Sequence, residues 1–490
     1  MRLFLIAALI CAAMVGVLTA MGGLAFVAPG QRGVAEAPCP RGAIDVVPGQ
    51  PIQDAVDRAG DGAAFCLKNG IHRMQVIRPK KGQSFHGEGH TVLNGSQLLT
   101  TFTREGRFWV ASGPDRYGQK HGVCATATPA CDLPEGFFID DKPFAQVLNK
   151  ESVENGDFFL DHENGRLFFV DDPTKRKVEA TIDAFALQSE ASNVTIRNIV
   201  IEKYASPAQS GAIQSRAAKN WIVENCEIRL NSGAGIGVGD GAIVRGSNIH
   251  HNGQLGIGGV GRNIAIENNL IWANNTRGFD FTWEAGGVKL ALSHGAKFRG
   301  NYVHDNVGPG LWCDIDCHDA VFEGNLVENN YDTGIFYEIS SDATIRGNVL
   351  RHNGIARRVW FWGADILIAA SQNVKVYDNT LTVSPTGCGI MLIDQSRQRT
   401  DGKKYKTQNN TVRNNKMLFE GSPCAGGVSD AQPGDENYEI ITKGANVFDG
   451  NLYQIPRAAD PPRFAWGHAI FDWDGLRRTG VEPNGRLTEY

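Results

Sequence analysis

Three acidic residues fall within two copies of one short pattern. The segments Gly310-Leu-Trp-Cys-Asp-Ile-Asp316 and Gly334-Ile-Phe-Tyr-Glu-Ile-Ser340 each read as a glycine followed by a strand. Alternate side chains of a strand point to opposite faces. With the residue after each glycine placed inside, Leu311, Cys313 and Ile315 face in, while Trp312, Asp314 and Asp316 face out. The same rule turns Phe336, Glu338 and Ser340 outward, and turns Lys289 outward in Gly287-Val-Lys-Leu290. On neighbouring parallel strands about 4.8 Å apart, Asp314 and Glu338 carry carboxyls on the order of 5 Å apart. Asp316 then lies about 6.7 Å along the strand from Asp314 and roughly 8 Å from Glu338. Glycoside hydrolysis uses two carboxyls, about 5–5.5 Å apart for retention or about 6.5–9.5 Å for inversion, so both outcomes stay open. Crowded carboxylates raise one another's pKa, which makes one a usable acid near neutral pH. Trp312 and Phe336 offer rings for stacking on sugars, and the turn Phe281-Thr-Trp-Glu-Ala-Gly-Gly287 adds Trp283 and Glu284. Lys289 is either the countercharge of the cluster or a ligand for a sugar carboxylate. The bland alternative is a solvated sheet face. Like charges side by side on adjacent strands destabilise a sheet, which favours a function.

The elements that must position these residues repeat along the chain. Ten segments between residues 195 and 453 share one form, among them Ala265-Ile-Glu-Asn-Asn-Leu-Ile271, Val321-Phe-Glu-Gly-Asn-Leu-Val327 and Thr344-Ile-Arg-Gly-Asn-Val-Leu350. Each reads as a strand, a two-residue Asn/Gly turn and a second strand. Corresponding positions fall at Ser247, Asn269, Asn301, Asn325, Asn348, Asn379, Asn415 and Asn451, with separations of 22, 32, 24, 23, 31, 36 and 36. The short values define one rung and the long ones are rungs with loop insertions. A second asparagine follows five residues later at Asn252, Asn274, Asn306, Asn330 and Asn353, and implies side-chain amides stacked along a solenoid. Then a Gly-apolar pair, as in Gly256-Ile257 and Gly310-Leu311, opens a third strand. Three short strands with turns that tolerate left-handed backbone make a parallel β-helix. Glycine fits this reading, at 58 of 490 residues without a Gly-X-Y period.

On these repeats the chain resembles the right-handed parallel β-helix superfamily, the pectin-lyase-like fold, over roughly residues 40–455. The strings around Glu284, Asp314 and Glu338 are similar to those of an exported subgroup of β-helix repeat proteins. The resemblance implies an all-β solenoid with an N-terminal capping helix, here Val47–Asp57, and a carbohydrate-active protein outside the cytoplasm. It carries over no catalytic residue: the chain lacks the Asn-Thr-Asp and Asp-Asp set of polygalacturonases and the Asp-Pro-His-Asp motif of alginate epimerases. The leading expectation is a glycoside hydrolase without a cofactor. Glu338 and Asp314 (or Asp316) would be acid and base or nucleophile, with Glu284 and Lys289 positioning the sugar. A lyase or uronan epimerase would use Lys289 as base and Ca²⁺ held by the acids. A non-catalytic glycan-binding envelope protein is the third reading.

The expected divisions are 1–37 as signal or anchor, 38–100 as cap and first rungs, 101–180 as a β-rich insertion, 181–455 as the solenoid with the site, and 456–490 as a C-terminal cover. Leu3–Val27 is an uncharged, mostly apolar run after Arg2, an export segment that is either cleaved near Ala35-Glu36-Ala37 or kept as an inner-membrane anchor. Either places the body in the periplasm or outside the cell, where disulfides persist. Cys39 with Cys66, Cys124 with Cys131, Cys388 with Cys424 and Cys313 with Cys317 are candidate pairs, leaving Cys226 free. A net charge of -5 gives no basic footprint for nucleic acid. A polysaccharide or oligosaccharide partner and a monomer are expected. His250, His251, His304 and His352 read as turn hydrogen-bonders. Arg357 and Arg358, in the insertion ending Trp360-Phe-Trp362, either wall the cleft or pack on the scaffold.

Overall fold

A computed structural model describes residues 38–114, 118–356, 360–457 and 463–490. The apolar run 3–27, the Ala35–Ala37 site, Arg357 and Arg358 lie outside the described residues. Among the described residues, no helix is long and apolar enough to cross a membrane.

Short strands of β-branched and aromatic residues, punctuated by Asn and Gly, coil into rungs. Each rung contributes one strand to each of three long, almost wholly parallel sheets of 13, 13 and 12 strands. In the first sheet Ala265–Glu267 pairs in register with Lys297–Arg299, and that strand with Val321–Glu323. In the second, Leu270–Trp272 pairs with Tyr302–His304. In the third, Gly286–His294, Leu311–Asp314 and Ile335–Glu338 lie side by side. The lumen is filled by inward Ile, Val and Leu, with Phe298 stacked on Phe322 at 4.4 Å.

The turn between the first two strands of a rung is left-handed, as at Asn268 (φ 55°) and Gly300 (φ 59°). Asn and Gly adopt this backbone at least cost, which explains their recurrence. The asparagine after each turn joins a buried ladder. Asn301 accepts the Asn269 backbone N–H at 3.0 Å on Oδ1, and its Nδ2 donates to the Ile266 carbonyl at 2.8 Å and to Asn325 Oδ1 at 3.0 Å. The ladder runs from Asn269 to Asn451 and ends on the Glu482 carboxylate. A second ladder through Asn252, Asn274, Asn306, Asn330 and Asn353 ends on Asp365. Burial pushes the Asp365 carboxyl up to about 7. The second ladder also explains the glycine that opens the third strand. A Cβ at Gly310 would lie 2.7 Å from the Gly334 carbonyl and 3.0 Å from Asn330 Nδ2. Asn301→Ala would orphan several of these buried groups, each costing about 1–3 kcal/mol. The expected loss is about 3 kcal/mol of unfolding free energy, read by denaturant titration.

The helix Ile52–Arg58 closes one end of the lumen with Ile52, Ala55 and Val56. At the other end, Arg463–Gly467 extends the third sheet, Arg486–Glu489 extends the second, and the helix Trp473–Arg478 buries Leu476. Between residues 96 and 181, a four-stranded and a five-stranded sheet, both largely antiparallel, enclose a separate core of Phe137, Phe158, Leu160, Leu167 and Phe169. This unit is fastened to the solenoid by two cations, the half-buried Arg277 and the buried Lys203. Arg277 donates to the Glu135 carbonyl at 3.0 Å and to that of Leu133. Lys203 meets Glu179 and Asp141.

Among the described residues three disulfides form: Cys39–Cys66, Cys124–Cys131 and Cys388–Cys424. Cys226 is free and buried. Cys313 and Cys317, a candidate pair, are instead free thiols in the core. Cys317 Sγ donates to the carbonyls of Asp314 at 3.3 Å and Leu290 at 3.6 Å, so the backbone satisfies it.

Candidate functional site

The acids lie on the outer face of the third sheet. Leu311 and Cys313 belong to the lumen core, whereas Trp312 and Phe336 belong to a second apolar cluster outside it. The side chains therefore alternate as the strand pattern requires. The strand ends at Asp314, however. Ile315 and Asp316 both have left-handed backbone (φ 50° and 52°), and Ile339 after Glu338 follows suit (φ 40°). A β-branched residue there is strained by about 1–3 kcal/mol. This turn corrects three expected orientations. Ile315 is exposed and does not face the lumen. Ser340 is buried, and its Oγ accepts the Cys317 N–H at 3.0 Å. Asp316 leaves the strand face to accept the Tyr405 hydroxyl at 3.2 Å, with Arg399 at 3.8 Å. The diagonal Asp316–Glu338 spacing needs an unbroken strand, and that strand is absent.

Six of the sequence-derived residues come together. Lys289 pairs in register with Trp312, and Trp312 with Phe336. The Lys289 ammonium sits 3.0 Å from Asp314 Oδ2, 3.4 Å from Glu284 Oε2 and 3.8 Å from the centre of the Trp312 ring. Glu284 reaches it because Asp280 caps the one-turn helix Phe281–Glu284, accepting the Thr282 N–H at 2.8 Å. Asp314 lies beside Ala291 on one neighbouring strand and, one residue beyond the Cys313–Tyr337 pair, beside Glu338 on the other. Trp283 turns away from this group, edge-on to His121 at 5.8 Å.

Burial is the main departure from the expected surface. Trp312, Asp314, Phe336 and Glu338 are only 3–8% exposed. The cover is a hairpin within 395–406, invisible to a strand-repeat reading because it falls in one of the long rung insertions. Its neck is tied by Ser396 and Lys404 to Asp435 and by Asn437 to the Tyr405 carbonyl. From it Arg397 reaches Glu338 Oε1 at 2.5 Å. Together these elements enclose a cavity of about 230 Å³ lined by Phe281, Thr282, Trp312, Asp332, Phe336, Glu338, Trp362, Gln395 and Arg397. That is below the usual range for drug-sized ligands and suits one small ring. Among the described residues of the 357–362 insertion, Trp362 walls it. Trp312 Nε1 and Gln395 Oε1 are buried without partners, one donor and one acceptor.

Burial pushes the Glu338 carboxyl up to about 7, and the adjacent Asp314 charge adds to the rise. Arg397 and Lys289 pull it back only in part. If Glu338 must be protonated to act, activity falls as pH rises through about 7. Arg397→Gln removes a stabilising cation from the carboxylate form, so this alkaline limb is expected to move to higher pH in a kcat/KM profile.

Among the described residues, no group of three or more His, Cys, Asp or Glu is arranged to hold a metal. The acids do not fit Ca²⁺, which takes six to eight oxygen ligands. The space between Asp314 and Glu284 is already bridged by the Lys289 ammonium.

The family model described as a right-handed β-helix region matches residues 180–283 and 211–381. No curated protein matches the chain. Among solved structures, the complex of XylC with xylose is 15% identical with a TM-score of 0.64, covering 89% of this chain and 82% of that one. The A-module of the mannuronan C-5 epimerase AlgE6 of Azotobacter vinelandii is 15% identical with a TM-score of 0.48, covering 89% and 93%. PfbA, a surface adhesin of Streptococcus pneumoniae, is 14% identical with a TM-score of 0.46, covering 81% and 94%. With its three parallel sheets, its amide ladders, the family-model match within 180–381 and the likeness to the XylC scaffold, the chain has the right-handed parallel β-helix fold.

Proposed function

We propose that the protein is an extracytoplasmic glycoside hydrolase. The observation that carries this reading is Glu338, a carboxyl pushed up to about 7 that lines an aromatic-walled cavity of about 230 Å³ and has Asp314 as its neighbour on the adjacent strand. Two carboxyls in environments that separate their roles are the mark of an acid and its partner. Glu338 donates its proton to the glycosidic oxygen as the bond to the anomeric carbon breaks. Asp314, countered by Lys289, forms a bond to that carbon. Glu338, now a carboxylate, then takes a proton from the water that releases the sugar. One rung's separation, about 5 Å, suits this retaining course. Trp312 and Phe336, stacked at 5.2 Å, form an apolar wall, and Trp312 Nε1 and Gln395 Oε1 are free to meet hydroxyls.

Three disulfides support an oxidising compartment. The XylC neighbour, solved with xylose, shares the scaffold and is consistent with a sugar ligand. As the base of a lyase, Lys289 would have to give up two carboxylates and a ring, so nothing in the site favours that alternative. The test is a panel of neutral and uronic polysaccharides, assayed for new reducing ends with and without EDTA. EDTA-insensitive release is expected. Unsaturated, metal-dependent products would indicate elimination, and no turnover of any polymer would sink the enzyme reading.

A further inference from the structure

The one-turn helix Phe281–Glu284 sends its side chains three ways. Phe281 and Thr282 line the cavity at Glu338. Glu284 meets the Lys289 ammonium at 3.4 Å. The Trp283 ring instead joins an apolar cluster with Phe279, Ala208 and both cysteines of the Cys124–Cys131 disulfide. Those cysteines belong to the 96–181 unit, none of whose described residues lines the cavity.

The solenoid fixes the two ends of this segment. Asn275 Oδ1 accepts the Phe279 N–H at 2.8 Å, and Gln254 Nε2 donates to the Glu284 carbonyl at 2.8 Å. Tyr331 stands edge-on to Phe281 at 5.4 Å. The loop 121–131 holds the segment from its other side. The Val123 carbonyl accepts the Asp280 N–H at 2.9 Å, and Thr128 Oγ1 donates to the Gly278 carbonyl at 2.6 Å. A Cβ on Gly122 would lie 2.6 Å from Phe279 Cε1 and 3.2 Å from Trp283 Cζ3, so the missing side chain admits both rings. His121 stands edge-on to Trp283 at 5.8 Å, and its Nε2 donates to Gln209 Oε1 at 2.9 Å. Gln209 Nε2 in turn donates to Glu284 Oε2 at 2.8 Å, the same oxygen that faces Lys289. Gln209 does so from left-handed backbone (φ 62°), a conformation costly for glutamine.

We infer that the loop 121–131 is the positioning element of the pocket: through Trp283 it holds Phe281 and Thr282 at the cavity, and through Gln209 it holds Glu284 on Lys289. Trp283 and Gln209 are thus positioning residues that act through their neighbours. The inference rests on the hydrolase reading for its kinetic effect, while the coupling between loop and segment stands on these contacts alone.

Three variants test it. Trp283→Ala withdraws the ring from the cluster, and Trp283→Phe keeps one. Gln209→Asn suits left-handed backbone but is too short to reach Glu284. Hydrogen exchange reads the coupling without a substrate. Trp283→Ala is expected to speed exchange of the amides at 280–284 by about tenfold or more, with those at 411–417 unchanged. Trp283→Phe is expected to restore most of the protection. Unchanged exchange at 280–284, or an equal rise in both places, would overturn the coupling.

On any polymer that is turned over, Trp283→Ala and Gln209→Asn are expected to lower kcat/KM by about ten- to a hundredfold. In Trp283→Ala the alkaline limb near pH 7 is also expected to move to lower pH, because water admitted past Phe281 relieves the burial that raises Glu338. Glu338 is faced by Asp314 and Lys289 from neighbouring strands, by Arg397 from the hairpin and by Asp332 in the cavity lining, and the substitution removes none of them. A merely structural loss lowers the rate and leaves the limb in place. An unmoved limb, or an unchanged kcat/KM, overturns the positioning role even where exchange rises. Absence of turnover on every polymer defeats the hydrolase reading, and the exchange result alone then decides the coupling.

Discussion

Glu338→Gln is expected to lower kcat on the polymer by about 10²–10⁴, the usual contribution of a positioned general acid. The amide matches the carboxyl in shape and can still accept from Arg397 at Glu338's position, so the fold and ligand binding are expected to persist. Loss of turnover with unchanged thermal stability and retained binding of the same glycan separates catalysis from scaffolding. The alkaline limb near pH 7, set by burial and Asp314, should vanish with the side chain. A variant that keeps full activity would end the assignment of Glu338, and full biological function without turnover would favour a glycan-binding protein.

The second large effect concerns Lys289. Its ammonium is the shared partner of Glu284 and Asp314, with side-chain exposures of 7%, 13% and 9%. Removing one member of a buried ion pair leaves an uncompensated charge and costs about 3–5 kcal/mol. Lys289→Met should therefore destabilise the protein by about that amount and abolish activity. Adding Asp314→Asn removes the stranded charge and should restore part of the stability, since groups in contact are not additive. A double variant no more stable than Lys289→Met alone would show that the pair contributes little. Read by denaturant unfolding, this cycle does not depend on knowing the substrate.

The rungs were legible because their devices are local. Left-handed turns call for Asn or Gly, and stacked amides call for asparagine in register, so both appear as columns in the sequence. The inward and outward alternation of Leu311, Trp312 and Cys313 followed from the same periodicity. The failures lie where that periodicity stops. Nothing in Asp314-Ile-Asp316 announces that an isoleucine takes a left-handed conformation, which moves Asp316 out of the site and Ile315 into solvent. The burial of Trp312 and Glu338 depends on a hairpin about 60 residues downstream of Glu338, whose Arg397 carries no repeat signature. The Cys313–Cys317 spacing suggested a disulfide, but carbonyls already satisfy Cys317.

The amide ladders also set a direction. Each asparagine accepts from the rung before it and donates to the rung after, so the hydrogen bonds align head to tail and strengthen one another. Glu482 receives the last amide through Asn451 Nδ2 at 2.6 Å and the last backbone N–H at 3.2 Å. A carboxylate accepts but has no amide hydrogen to hand on. The relay therefore carries its own stop signal: a further rung, or a second molecule stacked end to end, finds no donor waiting in that column. Solenoid length is thus written into the chemistry of one terminal side chain as well as into the number of repeats.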